Sequence, residues 1–315
     1  MHPLKGDIMN KIKIRNHFSW YMLLFIPLLG TIIFNIYPLI QTIISSFQNV
    51  KGSFIGPVNY KIMFGSSEFQ KSMINTLYMA VLGVAFNVPI AFIIASMLNS
   101  ITKLRNIYKV IFLLPMIMSM VTVATMFKYL MMPDETGLFN FILGKLGMEP
   151  KLWLNSVKSS RESLVFIAIW KGIGYNIILF FAGMQSISKN LYEAAEIDGA
   201  NEWHKWRYVT IPSAKNTFSF VLVTSCIAAL KRFTEAYAIG AEAGNPAGSL
   251  ETIMLYIYRN SFSTLNYKDE GLASAASIIL FLIILAATGV NYSLTNKKDD
   301  GYGKSKKRRK AGIEA

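Results

Sequence analysis

Tyr192-Glu193-Ala194-Ala195-Glu196-Ile197-Asp198-Gly199-Ala200, followed a short way on by Val209-Thr210-Ile211-Pro212, forms a charged island between two apolar runs, 163–187 before it and 216–230 after it. The island has a helical grammar of its own. Asn190 with Glu193 three residues on is a capping pattern that opens a helix, and the Glu193 carboxylate suits the positive pole of the helix dipole. Ala194 and Ala195 extend the helix with small, strongly helix-forming side chains, leaving a narrow surface that another protein can approach closely. Gly199 stands where a left-handed cap turns the chain out of the helix. A second amphipathic piece, 202–208, carries Trp203 and Trp206 three residues apart on one face. Pro212 fits the first turn of the next helix. The expected product is two short helices at a fixed angle, a stiff handle occupying 188–215.

Outward from that loop, the rest of the 315-residue chain is too apolar for a water-exposed domain: 53% of its residues are hydrophobic, 16% are charged, and the mean hydropathy is +0.38. Crossing about 30 Å of hydrocarbon takes roughly 20 helical residues. Six runs meet that need, at 18–45, 73–98, 110–127, 163–187, 216–230 and 272–294. Lys231 and Arg232 cut the fifth short, although their long stems let a helix continue while the charges reach an interface. The fold class is an all-α polytopic membrane protein with six transmembrane helices and a two-helix loop between the fourth and fifth. Residues 1–17 form an N-terminal segment, 18–294 the membrane domain and 295–315 a basic tail. The first run is too long for the apolar region of a cleavable leader and no small-residue cleavage site follows it, so it reads as a retained span.

Lysine and arginine placement sets the orientation. With the N-terminus inside, the inner segments (1–17, 99–109, 188–215 and 295–315) hold 19 basic residues, and the outer loops hold 12 over a longer combined length. Both termini and the 188–215 loop are therefore expected in the cytoplasm. The formal net charge of +14 owes much to Lys304, Lys306, Lys307, Arg308, Arg309 and Lys310, a cluster placed to meet anionic lipid headgroups rather than nucleic acid.

The residues give no support to an enzyme. His2, His17 and His204 all lie outside the apolar runs, Cys226 is the single cysteine, and the six runs hold no Asp or Glu. A membrane hydrolase needs a nucleophile with a base, or a metal with its ligands, facing a cavity; neither catalytic nor metal-binding residues are expected. An ion-coupled carrier for a polar solute stands as the alternative, although such carriers usually hold carboxylates at membrane depth. No G-x-x-x-x-G-K-[ST] loop occurs, so the chain does not bind ATP by that route. One ionisable group does lie inside an apolar run, Lys171. Such a group by default marks a water-filled path or a paired site. Gly172, Gly174, Tyr175 and Asn176 beside it offer close backbone approach and hydrogen bonds to a polyhydroxylated ligand.

The spacing within the loop is more specific than its helices. Glu193-Ala194-Ala195, three residues, Gly199, nine residues, then Val209-x-Ile211-Pro212 resembles the EAA loop of the inner-membrane permeases of binding-protein-dependent ABC importers. The usual pattern has Ile and Leu where this chain has Val209 and Ile211. Five fixed identities at fixed spacing recur by chance in a chain this long about once in a thousand. Ile36-Tyr37-Pro38-Leu39-Ile40, Asn75-Thr76-Leu77, Leu113-Leu114-Pro115, Ile169-Trp170-Lys171-Gly172 and Gln185-Ser186-Ile187 follow in the family's order. Together they place the resemblance in the sugar and oligosaccharide branch, with the first permease of the pair.

The resemblance implies a complex in a bacterial or archaeal cell membrane. Its parts are a second related permease, two ATPase subunits that use ATP and Mg, and an extracytoplasmic solute-binding protein that delivers a carbohydrate. This chain itself holds no cofactor. Glu193, Ala194, Ala195, Gly199 and Pro212 are implied to couple to the ATPase. In relatives that bind maltose, sugar contacts come from the third span near its proline, the fourth span, and the span after the loop. Carried onto this chain, those positions are Met116 and Met120, then Lys171, Gly172 and Tyr175, then Ser225, Ala228, Ala229 and Arg232. Ala228 and Ala229 depart from the aromatic and amide groups expected there, which tells against maltose itself. Lys171 and Arg232 would favour an anionic saccharide unless Glu235 neutralises the arginine. The first outer loop, 46–72, and the last, 231–271, are implied contacts of the binding protein.

Overall fold

The computed structural model describes residues 21–101, 103–263 and 268–311; the expected N-terminal segment 1–17 and the start of the first span lie outside them. Among the described residues there is no strand, only an isolated bridge between Gln48 and Phe54. The first half of the chain forms α1 (Tyr21–Ser45), α2 (Val58–Gly65), α3 (Ser67–Ser100), α4 (Arg105–Ile117), α5 (Met120–Leu130), α6 (Leu138–Lys145) and α7 (Ser160–Gln185). The second half forms α8 (Lys189–Ile197), α9 (Glu202–Lys205), α10 (Lys215–Leu230), α11 (Thr234–Gly240), α12 (Ile253–Phe262) and α13 (Glu270–Ala311).

α3 and α7 are the central pair. Val88, Ala91, Phe92 and Ala95 of α3 meet Ile177, Phe180, Phe181 and Met184 of α7, with Val221 of α10 closing the cluster. Ala91 and Ala95, four residues apart and fully buried, let the backbones approach, as small residues do between membrane helices. Gly183 does the same against α10, where a Cβ would stand 2.2 Å from Thr217 Oγ1. α1 is different: the apolar stretch of this helix buries none of its residues, the pattern of a helix surrounded by apolar solvent. Its π-turn at Ile32–Ile36 precedes Pro38, and the Tyr37 N–H reaches back to Ile32 O. Widening the turn absorbs the bond that proline cannot donate.

Two expected spans are corrected. The third, 110–127, is not one helix, because α4 and α5 meet at 95°. Pro115, in the last turn of α4, removes a backbone donor, and Met118 and Ser119 then run extended with ψ of 141° and 139°. Hydropathy is blind to the break because the residues on both sides are equally apolar. The described residues thus hold five unbroken candidate spans, or six when the bent pair is counted as one. The fifth run does not stop at Leu230: after a turn at Lys231 it continues as α11, and the candidate span reaches Gly240. That extension brings Glu235 into a span from which acidic residues were expected to be absent.

Candidate functional site

The 188–215 loop folds as its sequence suggests, apart from its first residue. α8 opens at Lys189 with Ser188 at the N-cap; Asn190 is already helical, because the extended backbone that a cap requires falls two residues earlier. At the other end Gly199 has φ +80°, and the Ala200 N–H returns to Ala195 O at 2.9 Å, the long reverse bond of a Schellman cap. Asn201 opens α9 by accepting the His204 N–H at 2.9 Å.

Lys205 braces the two helices against each other. Its ammonium lies 2.8 Å from both Glu196 Oε1 and Glu202 Oε1, and those bonds, Glu196 first, hold its pKa above the ordinary lysine value. The Tyr192 and Thr210 hydroxyls meet at 3.0 Å, and Trp206 Nε1 donates to Ser96 Oγ at 3.0 Å with its ring against Phe92. The loop is thereby fastened to the end of α3. Trp203 stacks on Trp206 but stays exposed. Glu193, Ala194 and Gly199 face outward, Ala195 is half-buried, and Pro212 sits in a single helical turn, Ile211–Ser213, that leads into α10.

A cavity of about 270 Å³ opens between α3, α7 and α10. Of the substrate-path residues, Met116, Gly172, Tyr175, Asn176, Ser225, Ala228, Ala229 and Arg232 line it. Met120 and Lys171 do not: Met120 packs with Val123 and Phe127 in the core of α5, and the Lys171 ammonium donates to Met116 O at 3.0 Å. Asn87 is a lining residue that the sequence reading missed. Asn176 Nδ2 donates to Asn87 Oδ1 at 2.6 Å and to Ser225 Oγ at 2.9 Å, tying three helices together through a polar row. The signal was an amide inside an apolar run.

Arg232 turns inward rather than out to an interface. It is 8% exposed, no acceptor meets its Nε, and Glu235 lines the same cavity. A buried guanidinium nitrogen without an acceptor is costly, so the Arg232 Nε–H stands as an unanswered donor on a residue that lines the cavity with the Glu235 carboxylate. Such a lining can hold a polar, hydroxyl-rich molecule.

A helical bundle with a polar cavity between its spans and a stiff, exposed loop at one end has the build of a multi-pass membrane transport component. The chain belongs to the family of binding-protein-dependent transport system inner membrane components, whose model matches residues 87–299. It is 32% identical over 271 residues to the arabinooligosaccharides transport system permease protein AraP of Bacillus subtilis, covering 85% of each chain. It is 30% identical to the lactose transport system permease protein LacF of Rhizobium radiobacter, covering 81% of this chain and 87% of that one. A chain of a bacterial alginate ABC transporter, solved in complex with an alginate pentasaccharide-bound periplasmic protein, superposes with a TM-score of 0.79. That match is 25% identical and covers 90% of this chain and 96% of the other.

Proposed function

We infer that the chain is the permease subunit of an ATP-driven importer of a carbohydrate, an oligosaccharide, and forms half of the translocation path. The observation that carries this reading is likeness along nearly the whole of both chains to permeases named for arabinooligosaccharides and lactose. ATP-driven import accordingly takes precedence over an ion-coupled carrier. Both termini and the 188–215 loop face the cytoplasm. Glu193, Ala194, Ala195, Gly199 and Pro212 present the handle to a separate ATPase, two copies of which use ATP and Mg beneath this chain and a second related permease. A solute-binding protein docks on the opposite side. Sugar passes the cavity lined by Asn87, Tyr175, Asn176, Ser225 and Arg232, where amide, hydroxyl and guanidinium groups replace the water lost by its hydroxyls.

The test is to tag the C-terminus, solubilise native membranes gently and identify what co-purifies. A second permease with an ATPase subunit is the expected result. Isolation alone, under conditions that preserve other membrane complexes, would return the ion-coupled carrier to first place.

A further inference from the structure

Lys171 stands in α7 beside the break between α4 and α5. Its Nζ donates to Met116 O at 3.0 Å. In an unbroken helix that oxygen would accept from the Met120 N–H, four residues on. The extended backbone at Met118 and Ser119 carries Met120 away into α5. Met116 O is therefore one of the orphan carbonyls at the negative pole of α4, where a cation is favoured both as a donor and by the helix dipole.

The neighbouring residues of α7 complete the seat. Gly174, three residues from Lys171, faces Phe112, one turn before Met116. A Cβ on Gly174 would stand 1.9 Å from Phe112 O, so the two helix backbones touch there and only glycine fits. Trp170 lies edge-on to Phe127 of α5, with ring centroids 5.2 Å apart. Within two turns, α7 thus holds α5 through Trp170, the break through Lys171, and α4 through Gly174. Among the described residues no carboxylate pairs with Lys171.

We propose that Lys171 is a positioning residue: its ammonium caps the broken α4–α5 span and thereby sets the Met116 wall of the cavity, instead of selecting an anionic saccharide by contact. The proposal rests on the importer reading for its transport readout and on geometry alone for its structural one.

The test uses the whole transporter in nanodiscs, with Cys226→Ala and spin labels at Ile117→Cys and Val81→Cys, positions that are 77% and 70% exposed in α4 and α3 respectively. Lys171→Met is expected to broaden the distance distribution between the labels and to lower uptake about tenfold, for neutral and uronate-containing saccharides alike. Lys171→Arg keeps a charged donor and is expected to restore the narrow distribution, with uptake within about threefold of the parent. An unchanged distribution in Lys171→Met overturns the proposal, as does a loss confined to charged saccharides. If Lys171→Met yields no assembled complex, Lys171→Gln replaces it; its weaker neutral donor should give intermediate breadth, and parent-like distances and uptake would overturn the cap. Absence of ATP-dependent uptake in the parent protein would sink the importer reading instead, while the label distances still judge the cap.

Discussion

At the end of the bundle where 241–252 folds back, polar groups of several helices bond to one another and to that segment; at the end where 188–215 emerges, the polar groups bond mainly to the loop itself. In the first region Lys71 Nζ donates to Ala247 O, and Asn75 Nδ2 bridges Gly248 O and Glu251 O at 3.0 Å each. The Ser160 and Ser249 hydroxyls meet at 2.7 Å there. Arg259 lies 2.9 Å from Glu68 and 2.7 Å from Glu251, the latter out of hydrogen-bond alignment. In the second region α8 buries no residue, and Ile197 is 87% exposed. The first end is closed by its own chain. The second keeps a shape whose outer face is left uncovered, which fits a surface reserved for another subunit.

Two glycines sharpen that contrast. Gly244 and Gly199 both have positive φ, +59° and +80°, but a Cβ on Gly244 would stand 2.5 Å from Glu251 N while one on Gly199 meets nothing within 4 Å. Gly244→Val should have the largest effect, costing about 3 kcal/mol or more from clash and backbone strain, read as loss of monodisperse complex on size-exclusion. Gly199→Val carries only the left-handed backbone penalty, about 1–2 kcal/mol, and should leave yield intact while sugar imported per ATP hydrolysed drops roughly tenfold. Gly199→Asn, tolerant of that backbone region, should keep most of the coupling. Equal yields for the two valine variants would erase the distinction between the regions.

Lys205→Met comes next. It removes the brace between α8 and α9, and because both pairs reach exposed carboxylates the expected fall in transport per ATP is roughly threefold, with assembly unchanged.

The last comparison concerns pH at the closed end. Burial pushes the Glu251 carboxyl up to about 7, against the opposing pull of Arg259. Because the folded value lies above the unfolded one, protonation favours the folded loop. This contribution is full below the ordinary carboxylate range and is lost as pH rises through about 7. Hydrogen exchange in 241–252, corrected for intrinsic rates, should therefore slow as pH falls through that window, and Glu251→Gln should flatten the trend. A rise in protection with rising pH would mean that the Arg259 pairing outweighs burial.

Much of this was legible in the amino-acid order. Span length and hydropathy announce a helical membrane protein because every backbone group in hydrocarbon must bond within its own helix. Gly199, Pro212 and the two-helix loop could be read because caps depend on residues a few positions apart. Tyr175 and Asn176 are legible as a polar minority in an apolar run, whereas Ser225 comes only through the family resemblance. The break at Met118, the inward turn of Arg232, the role of Asn87 and the partner of Lys171 could not be read that way. Asn87 and Asn176 are 89 residues apart, and Lys171 and Met116 are 55 apart. Those contacts exist only where one helix lies across another, so packing rather than local sequence decides which polar side chains line the cavity and which bond to a neighbouring backbone.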